Sequence, residues 1–288
     1  MDIQKQLQLG DQQRKTRNFA EAGRLYQAIL DQHPAHGRAL LGLADACRGM
    51  GDYPRALALW AAYLEAAAPT ATVLSRMADA YRKTGRTEPA IRLYQETLGL
   101  DPRNRRALMA LGDMSMKAKR PDEALGYWDR LLELDPRLIN ILTMVGNLHR
   151  QRRDFGQAEA RFRQALALEP ANPYAVFGLA DALRGQGRFQ DAAPFWETIL
   201  QADPDNVQVL ARAGDCFLHL GQLDKAERLF TAGLRLGFHK PASLGLARIY
   251  RERGQLREAI RQYRVVLARN PEDQRVWTLL REAEAGLD

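Results

Sequence analysis

Cysteine, lysine and long apolar runs are scarce in this chain, and each shortage excludes something. Only Cys47 and Cys216 stand in 288 residues, too few for a disulfide-stapled fold and in keeping with a reducing compartment. No apolar run approaches the roughly 20 residues that cross a bilayer. The opening MDIQKQLQLGDQQRK carries no apolar signal core, so a cytoplasmic protein is expected. Catalytic signatures are missing as well. There is no glycine-rich phosphate loop. His33, His36, His149, His219 and His239 share no metal-ligand spacing with either cysteine. Ser75, Ser115 and Ser243 fall in helical patterns without a nucleophile elbow. The expectation is no enzyme, no cofactor and no metal site.

Positive charge is plentiful but diffuse. The formal net charge is +7, yet arginine outnumbers lysine 35 to 7 and 35 acidic residues are interleaved. One stretch is more basic: Asp101 to Arg153 holds 11 Lys/Arg against 7 Asp/Glu. Its Lys117, Lys119, Arg120, Arg152 and Arg153 fall near first-helix ends and the turns after them, where cations complement the helix dipole. No aromatic is interleaved as a stacking platform. Nucleic acid is therefore disfavoured as a partner, and this basic patch is where RNA or an acidic polymer would bind if it did.

What the chain does have is a period. Asp11, Asp45, Asp79, Asp113, Asn147, Asp181 and Asp215 are spaced by 34 residues. Each follows a small residue: Gly10, Ala44, Ala78, Gly112, Gly146, Ala180 and Gly214, with Ala247 continuing that row one residue early. A second row of alanines runs from Ala22 to Ala259. Four residues after each comes an aromatic: Tyr26, Trp60, Tyr94, Trp128, Phe162, Trp196, Phe230 and Tyr263. Prolines such as Pro34, Pro102 and Pro170 close most units. Within a unit the apolar spacing is helical: Leu40, Leu43, Ala44 and Cys47 share one face, as do Leu57, Trp60 and Leu64. Turn signals such as GMGDY and GQGRF split each unit in two. A two-helix unit cannot bury its own apolar face, so neighbouring units must stack.

A small residue, an alanine, an aromatic and a terminal proline at this spacing resemble the tetratricopeptide repeat. The resemblance implies an all-α, right-handed α-solenoid (superhelix) of helix–turn–helix, 34-residue repeats. Its first helices would line the concave side and its second helices the convex side. One array is expected over residues 1–288. Its eight repeats fall at about 3–36, 37–70, 71–104, 105–138, 139–172, 173–206, 207–239 and 240–273, and a capping helix at 274–287 has Trp277 and Leu280 facing back. Two irregularities stand out. EAAAPTA carries an extra residue before Pro69. In RLGFHKPAS, Phe238 replaces the closing proline and Pro241 follows, an altered turn or a break that shapes the groove between the last two repeats.

Resemblance to a family of interaction scaffolds makes a partner protein or extended peptide in the concave groove the expected ligand. The aspartate row should turn away from the helix-pair core and look into that groove. Arginine follows three residues later at Arg14, Arg48, Arg82, Arg150 and Arg184, on the same helix face, forming either a ladder between helices or a polar track for a peptide main chain. Met116 and Leu218 interrupt it. Four residues before the aspartates several large apolar residues fall on a face that should meet solvent. Met109, Met116, Met144, Tyr174 and Phe177 would form an apolar anchor, flanked by Asp79, Arg82, Asp113, Thr143, Asn147, Arg150, Asp181 and Arg184. The chaperone-tail clamp of some family members needs lysine four residues before a groove asparagine. Here Asn147 is preceded by Thr143, so that clamp is not expected. Self-association into a homo-oligomer is the alternative role.

Overall fold

The computed structural model describes residues 2–287 and, among them, 17 helices and no strand. They fall into two compact units divided after Pro136. The first unit holds α1 (Ile3–Lys15), α2 (Phe19–Leu30), α3 (Gly37–Met50), α4 (Tyr53–Ala66), α5 (Ala71–Lys83), α6 (Thr87–Leu100), α7 (Arg105–Lys117) and α8 (Pro121–Leu134). The second holds α9 (Ile139–Gln151), α10 (Phe155–Leu168), α11 (Pro173–Gly185), α12 (Phe189–Ala202), α13 (Val207–His219), α14 (Leu223–Leu236), α15 (Lys240–Glu252), α16 (Leu256–Arg269) and α17 (Gln274–Ala285). Within each unit every helix packs on its sequence neighbours. No helix among the described residues is long and apolar enough to cross a membrane.

Local chemistry sets the boundaries. Asn104, Asn172 and Asn206 cap α7, α11 and α13, each side chain accepting from a backbone N–H of the first turn, which satisfies a donor the helix leaves orphaned. Second helices end two to four residues before Pro34, Pro69, Pro102, Pro136, Pro170, Pro204 and Pro271, because the residue before proline is driven out of the α region. The hairpin turns need a left-handed residue. Gly187 supplies it at φ 76, while Arg153 adopts it at φ 63 despite its side chain.

The repeating aromatics are the pillars of both cores. Tyr26, Trp60, Tyr94 and Trp128 are fully buried in the first unit, as are Phe162, Trp196 and Phe230 in the second. Burying ~150–250 Å² apiece, each contributes on the order of 4–6 kcal/mol gross at ~25 cal/mol per Å². The small residues exist for them. A Cβ on Gly42 would meet the Tyr26 ring at 2.4 Å, and one on Gly178 would meet Phe162 at 2.2 Å, so the ring occupies the space of the missing methyl.

The capping helix differs from expectation. Leu280 is buried, but so are Val276 and Ala283, while Trp277 is 38% exposed. Trp277 does not face back. Its indole N–H donates to the Pro271 carbonyl at 2.8 Å, holding the ring over the preceding turn.

Candidate functional site

The aspartate row does not simply look outward. Asp45 and Asp181 are only 4% and 3% exposed, because arginines from flanking first helices close over them. Asp45 receives Arg14 at 2.9 Å and Arg76 at 2.7 Å. Asp181 receives Arg150 at 2.5 Å, Arg184 at 3.0 Å and Arg212. Burial alone would push the Asp181 carboxyl up, but Arg212, Arg184 and Arg150 together hold it below the usual carboxylate range. The i,i+3 pairs of the sequence pattern are the longer contacts: Arg14–Asp11, Arg48–Asp45 and Arg82–Asp79 span 3.6–3.7 Å. Arg14 and Arg184 instead make their shorter bridges to the next repeat, Arg184 reaching Asp215 at 2.7 Å. In this geometry the row ties helices together.

The other aspartates are held differently. The Tyr26 hydroxyl donates to Asp11 at 2.7 Å and Arg38 of α3 completes the carboxylate at 2.5 Å. Tyr94 and Arg106 do the same for Asp79. Burial, then donation to Asp11, pushes the Tyr26 phenol up to about 12. The sequence carries the signal for this alternation at twice the 34-residue period. Tyr or Phe at Tyr26, Tyr94, Phe162 and Phe230 is followed by Gly or Ala at Gly42, Ala110, Gly178 and Gly245. Trp60 and Trp196 are followed by Arg76 and Arg212 at that register. The ring needs a residue without bulk, and where the ring is tryptophan that register is free for arginine.

The predicted anchor is divided between the units. In the first, Met109 and Met116 are half-buried on α7 and Asp113 lies between them, while Arg82 is exposed at the end of α5. In the second, Met144 and Tyr174 are exposed, at 36% and 72%. Phe177, expected to meet solvent, is half-buried instead. It stands edge-on to Trp196 at 5.5 Å, with the guanidinium groups of Arg150 and Arg212 at 6.0 and 5.7 Å, so its faces are already occupied. Thr143 is buried, its hydroxyl donating to the Asn140 carbonyl at 2.9 Å. Asn147 is taken up by Arg150, which donates to its side-chain oxygen from Nε at 3.3 Å. Lys117, Lys119, Arg120, Arg152 and Arg153 are exposed. No group of three or more His, Cys, Asp or Glu among the described residues could hold a metal ion.

A cavity of about 1020 Å³ opens in the second unit along α13, α15 and α17. Apart from Arg184, none of its lining belongs to the predicted site. Its cations are Arg184, Arg212, Lys240, Arg248, Arg251 and Arg275, against Asp215, Glu252 and Asp273. Ala211, Leu218, Leu244 and Leu279 give it an apolar floor. Three sequence differences account for the space. Ala211 stands at the register of Phe177, and Leu218 at that of Arg184. The α14–α15 turn spans residues 237–239, one residue shorter than the 203–206 turn before α13. Pro241 falls in the first turn of α15, where its missing N–H costs nothing. The irregular RLGFHKPAS stretch was the legible pointer to this groove. His239 lines it with a buried Nδ1 that has no hydrogen-bond partner among the described residues, and burial, then Arg212, lowers its pKa from the ordinary histidine value.

Comparison with known proteins agrees with this architecture. Tetratricopeptide repeat models match residues 7–72, 75–138 and 143–206, and a second such model matches 183–237 and 239–283. The chain is 32% identical over 107 residues to the Drosophila melanogaster protein O-mannosyl-transferase Tmtc3, a match covering 36% of this chain and 12% of that protein. The C-terminal part of a repeat protein from Cytophaga hutchinsonii shares the fold over 98% of this chain and 99% of its own, at 16% identity and a TM-score of 0.57. YrrB, described as a tetratricopeptide repeat protein with an unusual peptide-binding site, matches 65% of this chain and 96% of its own, at 16% identity and a TM-score of 0.55.

Proposed function

This chain belongs to the tetratricopeptide repeat family, and we propose that it is a non-catalytic interaction module that receives an extended segment of a partner protein along α13, α15 and α17. The cavity of about 1020 Å³ on these helices carries the reading. It lies at the upper end of the ~300–1,000 Å³ typical of ligand pockets and combines an apolar floor with polar walls. Gln208 stands on its α13 side, where it can hydrogen-bond a peptide main chain, while Ala211 and Leu218 leave room for its side chains. The exposed Met144 and Tyr174 on α9 and α11 extend the recognition surface in this proposal. Proteins of this family generally mediate protein–protein interactions, which favours the same role.

Filling the groove tests it. Ala211→Phe introduces the residue that the preceding repeat carries at this register. Peptides selected from a displayed random library on the wild-type protein should lose at least tenfold in affinity for Ala211→Phe, with helical content unchanged by circular dichroism. Equal affinity in both proteins would remove the groove as the binding site.

A further inference from the structure

We infer that the segment this groove receives is acidic and carries an apolar side chain, a reading that rests on the groove's being the binding site. Most charges of the lining already neutralise one another. Lys240 holds Asp273 at 2.6 Å, Arg248 holds Glu252 at 3.1 Å, and Arg184 holds Asp215 at 2.7 Å. Those pairs use every acid of the lining. Arg212 is spent on Asp181 outside the cavity. Arg251 is left with a 3.5 Å contact to Glu282, and no ion pair involves Arg275 among the described residues. The surplus positive charge therefore sits at the end of the groove formed by α15 and α17, beside the apolar floor of Leu244 and Leu279. A segment with carboxylates flanking one apolar residue matches both features, and complementary charge raises the rate of encounter as well as selecting the partner.

A nucleic acid fits less well. Phe230 and Tyr263 of the lining are 1% and 2% exposed and offer no face on which a base could stack. That leaves the half-buried His239 ring, short of the successive aromatic platforms that single-stranded nucleic acid uses.

The test uses three labelled peptides of equal length, each with a central leucine flanked by glutamates, serines or lysines, and a single-stranded RNA oligomer, all read by fluorescence anisotropy. The glutamate peptide should bind about tenfold more tightly than the serine peptide at low salt, a difference of about 1.4 kcal/mol. The advantage should fade toward 1 M salt, where the Debye length is about 3 Å. Arg275→Glu and Arg251→Glu should each cost the glutamate peptide about tenfold and leave the serine peptide unchanged. Serine or lysine peptides binding as well as the glutamate peptide would overturn the acidic class while leaving the groove as a peptide site. RNA binding more tightly than any peptide, and lost in Arg275→Glu, would assign the groove to nucleic acid and overturn the inference. Absence of binding by all four probes would overturn it too, and if Ala211→Phe also left library selection untouched, the groove reading would fall with it.

Discussion

Asp113 of the first unit and Asp181 of the second occupy the same repeat register, each paired with a buried tryptophan fifteen residues on, Trp128 and Trp196. Their electrostatics are opposite. Asp181 is enclosed by three arginines and held below the ordinary carboxylate range, burial notwithstanding. Asp113 is pushed above it, because burial outweighs the pull of Arg82 and Lys117. In the repeat pattern Met116 stands where Arg184 serves Asp181. A repeated residue thus has no fixed role: its neighbours in the stack decide whether the carboxylate stabilises the fold or burdens it.

The largest break in this comparison is Asp181→Asn, which leaves Arg150 and Arg212 without their anion and Arg184 with Asp215 alone. It should cost about 3 kcal/mol in urea denaturation at neutral pH, whereas Asp113→Asn should be neutral or slightly stabilising there. The pH dependence follows the two shifts. Asp181 has a lowered folded pKa, so its contribution is present above the unfolded value of 3.8 and is lost as acid protonates the folded state. Asp113 has a raised folded pKa, so it detracts from stability at neutral pH and ceases to do so below 3.8. The gain from Asp113→Asn should therefore vanish in acid. A gain for Asp181→Asn at pH 7 would contradict the three-arginine account.

A smaller effect separates the tyrosine-held aspartates from both. Tyr94→Phe removes the hydroxyl that donates to Asp79 and should cost about 1.5 kcal/mol, the lower end for a hydrogen bond to a charged group. Arg106 still faces that carboxylate at 2.8 Å, which keeps the loss below that of Asp181→Asn. The smallest change sharpens the comparison by restoring what the fourth repeat lacks. Met116→Arg should gain about 0.5 kcal/mol at neutral pH, as for other half-exposed i,i+3 pairs. NMR titration should show the Asp113 pKa falling. An unmoved Asp113 pKa would mean that the new arginine points elsewhere.

Much of the fold was legible because each repeat states its own helices. The buried rows from Ala22 to Ala259 and from Tyr26 to Tyr263 follow from spacing alone. The candidate site was less so. Met109 and Met116 on α7, together with Met144 and Tyr174, were picked out by pattern, and the last two are exposed. Phe177 and Thr143 are not, because Arg150, Arg212, Trp196 and a carbonyl at Asn140 fill their surroundings. The cavity on α13, α15 and α17 was marked only by Leu218, Ala211 and an irregular turn, none of which announces empty space on its own.

By itself the sequence determined the element types, their lengths and which residues face the core. Those depend on contacts between residues a few positions apart, repeated until chance is excluded. Tertiary structure alone decided which arginine meets which aspartate, which aromatic face is already covered and where a groove stays open. Those outcomes depend on side chains roughly 30 residues apart competing for the same few ångströms, and a small change in one repeat, such as alanine for phenylalanine, is felt by its neighbours because a close-packed stack cannot absorb it.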